Sequence, residues 1–303
     1  MSYPILQSHV KTATAVKGRT SFAAVGSLEV RLAESEAEIR AAQKLRYKVF
    51  YEEMSAIPTP AMRAEGRDFD GFDEVCDHLL VIDNDKSGTD AVVGTYRLLR
   101  EVVAGGQNGF YSNQEYDLSP LYTAEFRKTM MAGRQLLELG RSCVHEAYRT
   151  NTTIHLLWRG IAIYTLLHNI GYMFGCASLA GTNPQEHALA LSYLHHEHNI
   201  PESYRVRAQA HRHNEMNLIP RDELDVRLAR RALPPLIKGY LRLGCFIGDG
   251  AVIDEQWGST DVFILLPVEK ISHRYLQHFD LAEFANGELG APFAAKSDRL
   301  KIV

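Results

Sequence analysis

The chain opens without a hydrophobic period. Residues 1–26 mix Thr, Ser, Ala and Gly with scattered basic residues, and this pattern predicts a loose leader. Residues 28–33 alternate apolar and polar, as a half-buried strand does. Residues 37–51 carry Ile39, Ala42, Leu45 and Val49 at helical spacing and predict an amphipathic helix. Residues 52–77 hold Pro58, Pro60, Gly66 and Gly71 among charges, which reads as a loop. Strands at 78–83 and 90–103, joined by a turn at 84–89, suggest an antiparallel hairpin. A Gly-rich loop at 104–113 and a helical stretch at 118–131 lead into a strand at 135–144.

The strongest helical pattern spans 150–169, with Ile154, Leu157, Trp158, Ile161 and Tyr164 on one stripe. A buried strand follows at 172–179, then a helix at 185–198 with Pro184 at its first position. Residues 226–243 read as helix interrupted by Pro234 and Pro235, and 261–268 as a strand. Strand, long helix and strand in succession place a parallel pair around 150–169. No repeat or linker divides the chain. The expectation is one domain of the α/β (α+β) class over residues 27–275, with a mixed, mostly antiparallel sheet flanked by helices. It includes a basic helical extension at about 221–245, and 276–303 form a tail.

Composition narrows this picture. At 303 residues, with 46% hydrophobic and 23% charged positions, the chain can bury a sizeable core and is neither disordered nor fibrous. Lys plus Arg total 33 against 37 for Asp plus Glu, a net charge of -4, which argues against a nucleic-acid coat. No apolar run reaches the roughly 18 residues of a bilayer span, and the first residues lack the apolar core of a secretory signal. Cys76, Cys143, Cys176 and Cys245 are scattered without a C-x-x-C pair, as in a reducing compartment, so a cytoplasmic location is expected.

Four short patterns carry candidate chemistry. Arg46 lies near the end of the first predicted helix. Asp68, Asp70 and Asp73 put three carboxylates into six loop residues, interleaved with Phe69 and Phe72. Such a triplet can hold a hard cation, attract an ammonium group or cap the next element, and its spacing lacks the ligand series of a calcium loop. Arg97 interrupts an apolar strand, where a guanidinium needs a partner. Glu138 and Arg141 stand three apart in a strand, on opposite faces under regular alternation. A bulge at Gly140 would bring both to one face and splay the strand from its parallel neighbour. Unpaired backbone N–H groups in that fork can polarise a thioester carbonyl and hold its oxyanion.

In this order the patterns resemble the acyl-carrier-protein-dependent branch of the GNAT acyltransferase superfamily. Acyl-homoserine-lactone synthases share Arg46, a carboxylate triplet, Arg97 after V-V-G-x-x, and the E-x-x-R pair Glu138 and Arg141. Their triplet usually begins with Glu, where this chain has Asp68. The closer resemblance, over about residues 28–275, is to the ornithine N-acyltransferases of bacterial ornithine-lipid synthesis. It is carried by Cys76-Asp77-His78-Leu79-Leu80-Val81, Val93-Gly94-Thr95-Tyr96-Arg97-Leu98-Leu99, Glu138-Leu139-Gly140-Arg141 and Gly175-Cys176-Ala177-Ser178-Leu179. Residues 233–244 (LPPLIKGYLRLG) and Phe263-Ile264-Leu265-Leu266 extend it.

The resemblance implies a GNAT-like fold. It also implies transfer of a fatty acyl group, often 3-hydroxylated, from acyl carrier protein to the α-amino group of L-ornithine, giving lyso-ornithine lipid. No metal and no resident cofactor are expected; the carrier's 4'-phosphopantetheine thioester is the donor substrate. Glu138 is the candidate base, with His78 as an alternative. Asp68, Asp70 and Asp73 are candidate hosts for the cationic amino acid, and Arg46 and His78 join them as candidate substrate-binding residues. Arg97 and Arg141 can pair with these carboxylates or grip the substrate carboxylate, and a structural salt-bridge network holding the loop over the cleft is an equally open role. A covalent acyl intermediate on Cys143 is disfavoured by its apolar neighbours. His195, His196, His198, His211 and His213 match no closed zinc spacing.

CoA-dependent relatives cradle a pyrophosphate with a Gly-rich loop before the long helix, but residues 145–153 hold no glycine. A single phosphodiester needs less. Arg149 and the helix start at Thr150, Asn151 and Thr152 are the candidate phosphopantetheine contacts. Residues 226–244 contain Arg227, Arg230, Arg231, Lys238 and Arg242 and no acid, interleaved with Leu228, Leu233, Leu236, Ile237 and Leu241. That stretch suits an acidic carrier protein or an anionic membrane surface, so peripheral contact with the inner membrane is expected. Two other readings stay open. One is a lactone synthase or another amino-acid N-acyltransferase. The other is a lipid-binding, membrane-active protein without catalysis.

Overall fold

Alternation builds the first hairpin, β1 (Ala23–Val25) and β2 (Leu28–Leu32), with Val30 fully buried. The computed structural model describes residues 21–270 and the backbone of a short strand pair at Ala15–Val16 and Arg19–Thr20. The leader boundary drawn at residue 26 is therefore too late. Phe22 is a core residue, and its N–H donates to the Val30 carbonyl, so the hairpin belongs to the domain. The 276–303 tail lies outside the described residues.

Helix α1 (Glu36–Tyr47) starts at Ser35, whose hydroxyl caps the Glu38 N–H, and runs on as a π-turn through Lys48–Glu53. Strands β3 (Asp77–Asp83), β4 (Val92–Arg100) and β5 (Gln135–Val144) follow. The helical stretch expected at 118–131 is present in pieces: a 3-10 turn at Ser119–Tyr122, then an α-turn at Ala124–Phe126 that runs on as a π-helix through Arg127–Met131. Helix α2 (Asn151–Leu167) leads to β6 (Ile170–Ala180), then α3 (Ala188–His198), α4 (Val226–Ala232) and α5 (Pro235–Leu243). Pro234 and Pro235 separate the last two, because proline fits a first turn and not a helix interior. Strands β7 (Phe246–Ile247), β8 (Val252–Asp254) and β9 (Ser259–Pro267) close the sheet.

The sheet order is β7-β9-β6-β5-β4-β3-β2-β1, with β8 also on β9. Every pair in it is antiparallel except β5 with β6, joined by the α2 crossover. The central strands are buried on both faces, which is why β3 and β4 read as nearly continuous apolar runs. On one face α2 packs through Leu157, Trp158, Ile161 and Tyr164, while Ile154 at its first turn is exposed. Gly160 permits the close approach: a Cβ there would stand 2.8 Å from Val30 Cγ2. On the other face α1 packs through Ala41, Ala42 and Leu45, beside a second cluster built around Phe110, Phe174 and Phe263.

Candidate active site

The parallel pairing of β5 and β6 ends at Glu138 opposite Phe174. Beyond that point β5 stays with β4 as far as Val144 opposite Gly94, and β6 stays with β9 as far as Ala180 opposite Ser259. The two strands fork, and their facing edges line a small cleft of about 20 Å³. Leu139, Gly175, Cys176, Ile264 and Leu266 line it, together with Tyr240 of α5. Gly175 is required at the fork, because a Cβ there would lie 2.4 Å from the Leu139 carbonyl oxygen.

The register between β4 and β5 shifts between Thr95 and Arg97, where β5 carries an extra residue between Gly140 and Cys143. The bulge expected at Gly140 falls just after it: the left-handed residue is Arg141, at φ 50°, while Gly140 has open space where a Cβ would stand. The strain at Arg141 is held by its side-chain contacts. The irregularity puts Glu138 and Arg141 on one face, where both meet Tyr111. The Tyr111 N–H donates to Glu138 Oε2 at 2.8 Å, and the Arg141 guanidinium lies 5.0 Å from the Tyr111 ring centre. Trp257 flanks Arg141 at 4.5 Å.

Arg46, Asp68, Asp70, Asp73, Arg97 and Arg141 converge into a closed ring of alternating charge. Arg46 Nε meets Asp68 Oδ2 at 2.7 Å, and Arg46 Nη2 meets Asp73 Oδ1 at 2.8 Å. Arg97 Nη1 lies 3.7 Å from Asp73 and 2.5 Å from Asp70. Arg141 closes the ring, 3.3 Å from Asp70 and 3.5 Å from Asp68. Asp70 and Asp73 also cap the turn Gly71–Glu74 reciprocally, so one open role of the triplet, capping, is realised. The neighbouring guanidiniums hold the Asp73 carboxyl below its usual range against the burial that opposes ionisation. Three guanidiniums match three carboxylates, so the ring has no surplus charge to offer a cationic substrate. Its geometry favours the structural role, pinning the 68–74 loop to α1, β4 and β5. Arg141, 13% exposed, is its most accessible arginine.

Glu138 is buried, and its two oxygens accept from the Tyr111 and Ser112 N–H groups at 2.8 and 2.7 Å. Burial raises its pKa, and the hydrogen bonds temper the rise. His78 is packed, with Nε2 3.0 Å from the Asp73 carbonyl oxygen, and burial lowers its pKa toward the neutral ring. The Cys143 thiol is pushed up to about 12 by burial, which leaves little thiolate for nucleophilic attack. Thr150 caps α2 by accepting from the Thr153 N–H at 3.3 Å, and Asn151 and Thr152 are exposed on its first turn. Arg149 is drawn aside into an ion pair with Glu53. His196 and His198 bond to the Ile219 carbonyl and the Tyr193 hydroxyl, and His195 lies 3.9 Å from Asp249.

Sequence reasoning missed Tyr111, Ser112 and Trp257, which wrap the E-x-x-R pair. It also missed Glu115, Asp254 and Asp261, whose carboxylates cluster beside Cys176. Asp261 alone left a signal, as an acid near the start of an apolar strand.

A mixed sheet with one forked parallel pair, crossed by a long helix, defines a GNAT acyltransferase. The family model described as an acetyltransferase (GNAT) domain matches residues 45–159. The chain is 50% identical over 257 residues to the L-ornithine N(alpha)-acyltransferase of Brucella abortus (strain 2308), covering 84% of this chain and 89% of that one. Identity to the L-ornithine N(alpha)-acyltransferase of Agrobacterium fabrum is 46% over 281 residues, covering 91% and 94%. Among solved structures, an N-acyl amino acid synthase from uncultured soil microbes aligns at TM-score 0.45 and 13% identity, covering 83% of this chain and 97% of that one. The chain belongs to the L-ornithine N(alpha)-acyltransferase family.

Proposed function

We propose that this chain transfers a fatty acyl group from an acyl carrier protein thioester to the α-amino group of L-ornithine, giving lyso-ornithine lipid. Membership of the family carries the acceptor. The observation that carries the chemistry is the fork, with a buried carboxylate at the last parallel pair. Glu138, directly or through a water, takes the proton from the acceptor ammonium. The free amine attacks the thioester carbon, a C–N bond forms, and the C–S bond breaks as the thiol leaves with a proton. Backbone N–H groups on the facing edges stabilise the intermediate oxyanion. Arg141 faces the acceptor carboxylate, and the Asp68–Arg46–Asp73–Arg97–Asp70 arc holds the loop that closes this side.

Two features support a carrier-protein donor. Residues 145–153 hold no glycine for a pyrophosphate cradle, and the exposed α2 start with Thr150, Asn151 and Thr152 suits one phosphodiester, which Arg149 could join only by leaving its Glu53 pair. The basic α4–α5 face exposes Leu228 and Leu236 among arginines, as an acidic partner requires. No helix among the described residues is long and apolar enough to cross a membrane. The same basic face supports a peripheral, cytoplasmic-side contact with the membrane that receives the product.

The test incubates the purified chain with 3-hydroxyacyl carrier protein, or the matching acyl-CoA, and a panel of amino acids, with products identified by mass spectrometry. The expected product is Nα-acyl-ornithine, formed faster from the carrier protein. No ornithine product would refute the reading. Glu138→Gln is expected to lower kcat by about 10²–10⁴-fold, the usual range for a general base, with the circular-dichroism spectrum retained. Wild-type turnover in that variant would remove Glu138 from the mechanism.

A further inference from the structure

The proposed acceptor carries a second ammonium group, and the neutral arginine–aspartate ring leaves it without a counter-charge. A different cluster has one. Glu115 on the loop after β4, Asp254 at the end of β8 and Asp261 in β9 bring carboxylate oxygens within 4.8 Å of one another. Glu115 and Asp261 are buried, and Asp254 is half-buried. Among the described residues, Arg212 is the cation that ion-pairs with the cluster, 3.5 Å from Glu115 Oε1. Three carboxylates thus face one guanidinium.

A second observation points to a ligand. Asp261 is only 7% exposed; the Ser178 and Ser259 hydroxyls stand beside its carboxylate, yet its Oδ1 accepts no hydrogen bond among the described residues. A buried carboxylate oxygen without a donor is costly, and an N–H-bearing cation would satisfy it. Burial and the neighbouring acids push Glu115 up to about 7 and raise Asp261, which reports the same surplus of negative charge.

The cluster adjoins the fork. The Cys176 thiol, which lines the cleft, donates to Glu115 Oε2 at 3.4 Å. Ser112 Oγ lies 3.8 Å from that sulfur, and the Ser112 N–H donates to Glu138. The Tyr111 phenol is influenced by Arg141 and also by Glu115 and Asp254, so charges of opposite sign surround this one ring beside the candidate base.

We propose that Glu115, Asp254 and Asp261 form the subsite for the side-chain ammonium of a dibasic acceptor whose carboxylate lies toward Arg141. The cluster then selects dibasic over neutral amino acids. An ammonium has three N–H donors, one for each carboxylate. This rests on the ornithine reading above.

The test compares ornithine with norvaline, the same carbon chain without the terminal amine, using the full chain and a saturating acyl-thioester donor. Asp261→Asn and Glu115→Gln are expected to lower the ornithine-to-norvaline ratio of kcat/KM at least about tenfold, chiefly through the ornithine KM. Asp254→Asn, at the accessible side of the cluster, is expected to act in the same direction and disturbs the core least. A ratio kept at the wild-type value in Asp254→Asn and in each folded core variant overturns the proposal. So does wild-type activity that is lost on chelation and restored by Mg²⁺, with that response absent in the cluster variants, because the carboxylates would then hold a metal ion. Wild-type protein that acylates no ornithine overturns the parent reading instead, and this one with it.

Discussion

Arg46 has no exposed surface, and its two aspartate partners lie 22 and 27 residues further along the chain. The ring is therefore a tertiary clamp, and removing one member strands charges that are already dehydrated. Arg46→Met keeps much of the volume but leaves Asp68 and Asp73 without their nearest cation. The expected loss of stability is on the order of 3–5 kcal/mol, measured by urea unfolding. A loss below about 1 kcal/mol, the range of a surface pair, would mean that the loop is held by other contacts. Glu115 supplies a second prediction with its sign fixed by linkage. Burial beside Asp261 and Asp254, against the opposing pull of Arg212, raises its pKa from 4.5 to about 7. Between those values the folded protein binds more protons than the unfolded chain, so this group's contribution to stability falls as pH rises from about 4.5 to about 7. Glu115→Gln should flatten that segment of the Tm–pH curve. An unaltered slope would show that Glu115 ionises normally in the fold. At this scale the ring was legible as residues but not as a ring. Arg46, the aspartates, Arg97 and Arg141 stand out as charges in apolar or loop settings, but pairing across so much chain is a tertiary fact.

At the scale of elements, the strand Gln135–Val144 and the crossover helix followed directly from hydrophobic period. The bulge that joins Glu138 and Arg141 on one face was inferred from spacing and placed at Gly140; the extra residue falls just beyond it, and the left-handed residue is Arg141. Glycine is the usual carrier of that conformation, and here Arg141 adopts it because Asp68, Asp70, Tyr111 and Trp257 fix its side chain. Period also misplaced Ile154, since a helix's first turn can overhang its sheet. Glu115, Asp254 and Asp261 lie on three segments with no common motif, so nothing local announces their meeting. Gly175 is the element-scale prediction. A methyl there would press on the Leu139 carbonyl oxygen from 2.4 Å, against backbone that cannot yield cheaply. Gly175→Ala should force β5 and β6 apart at the fork, costing about 1–3 kcal/mol of stability, as overpacking does, and most of the turnover. Wild-type kcat in Gly175→Ala would mean that the fork geometry is not limiting.

Across the whole molecule the net charge of -4 hides an uneven distribution. The acids near the fork are partly buried, whereas Arg227, Arg230 and Arg231 project from α4 beside Leu228, which is 49% exposed. Helix α5 continues this face, yet its Tyr240 reaches the cleft, 3.3 Å from the Tyr96 hydroxyl. A partner docked on α4–α5 would thus sit beside the fork, where the proposed carrier-borne thioester would have to arrive. Electrostatic docking of this kind acts mainly on encounter and is weakened by salt. Reversing charge at Arg230 and Arg231 should raise the KM for acyl carrier protein about tenfold or more and flatten its salt dependence, with little change in kcat at saturation. Acyl-CoA offers the same thioester without the acidic protein, so its KM should hold nearly constant in the same variant. Equal effects on both donors would indicate a damaged cleft. An unchanged KM for the carrier protein would place its dock elsewhere and leave the basic face to the membrane, which vesicle binding at rising anionic lipid content would then detect.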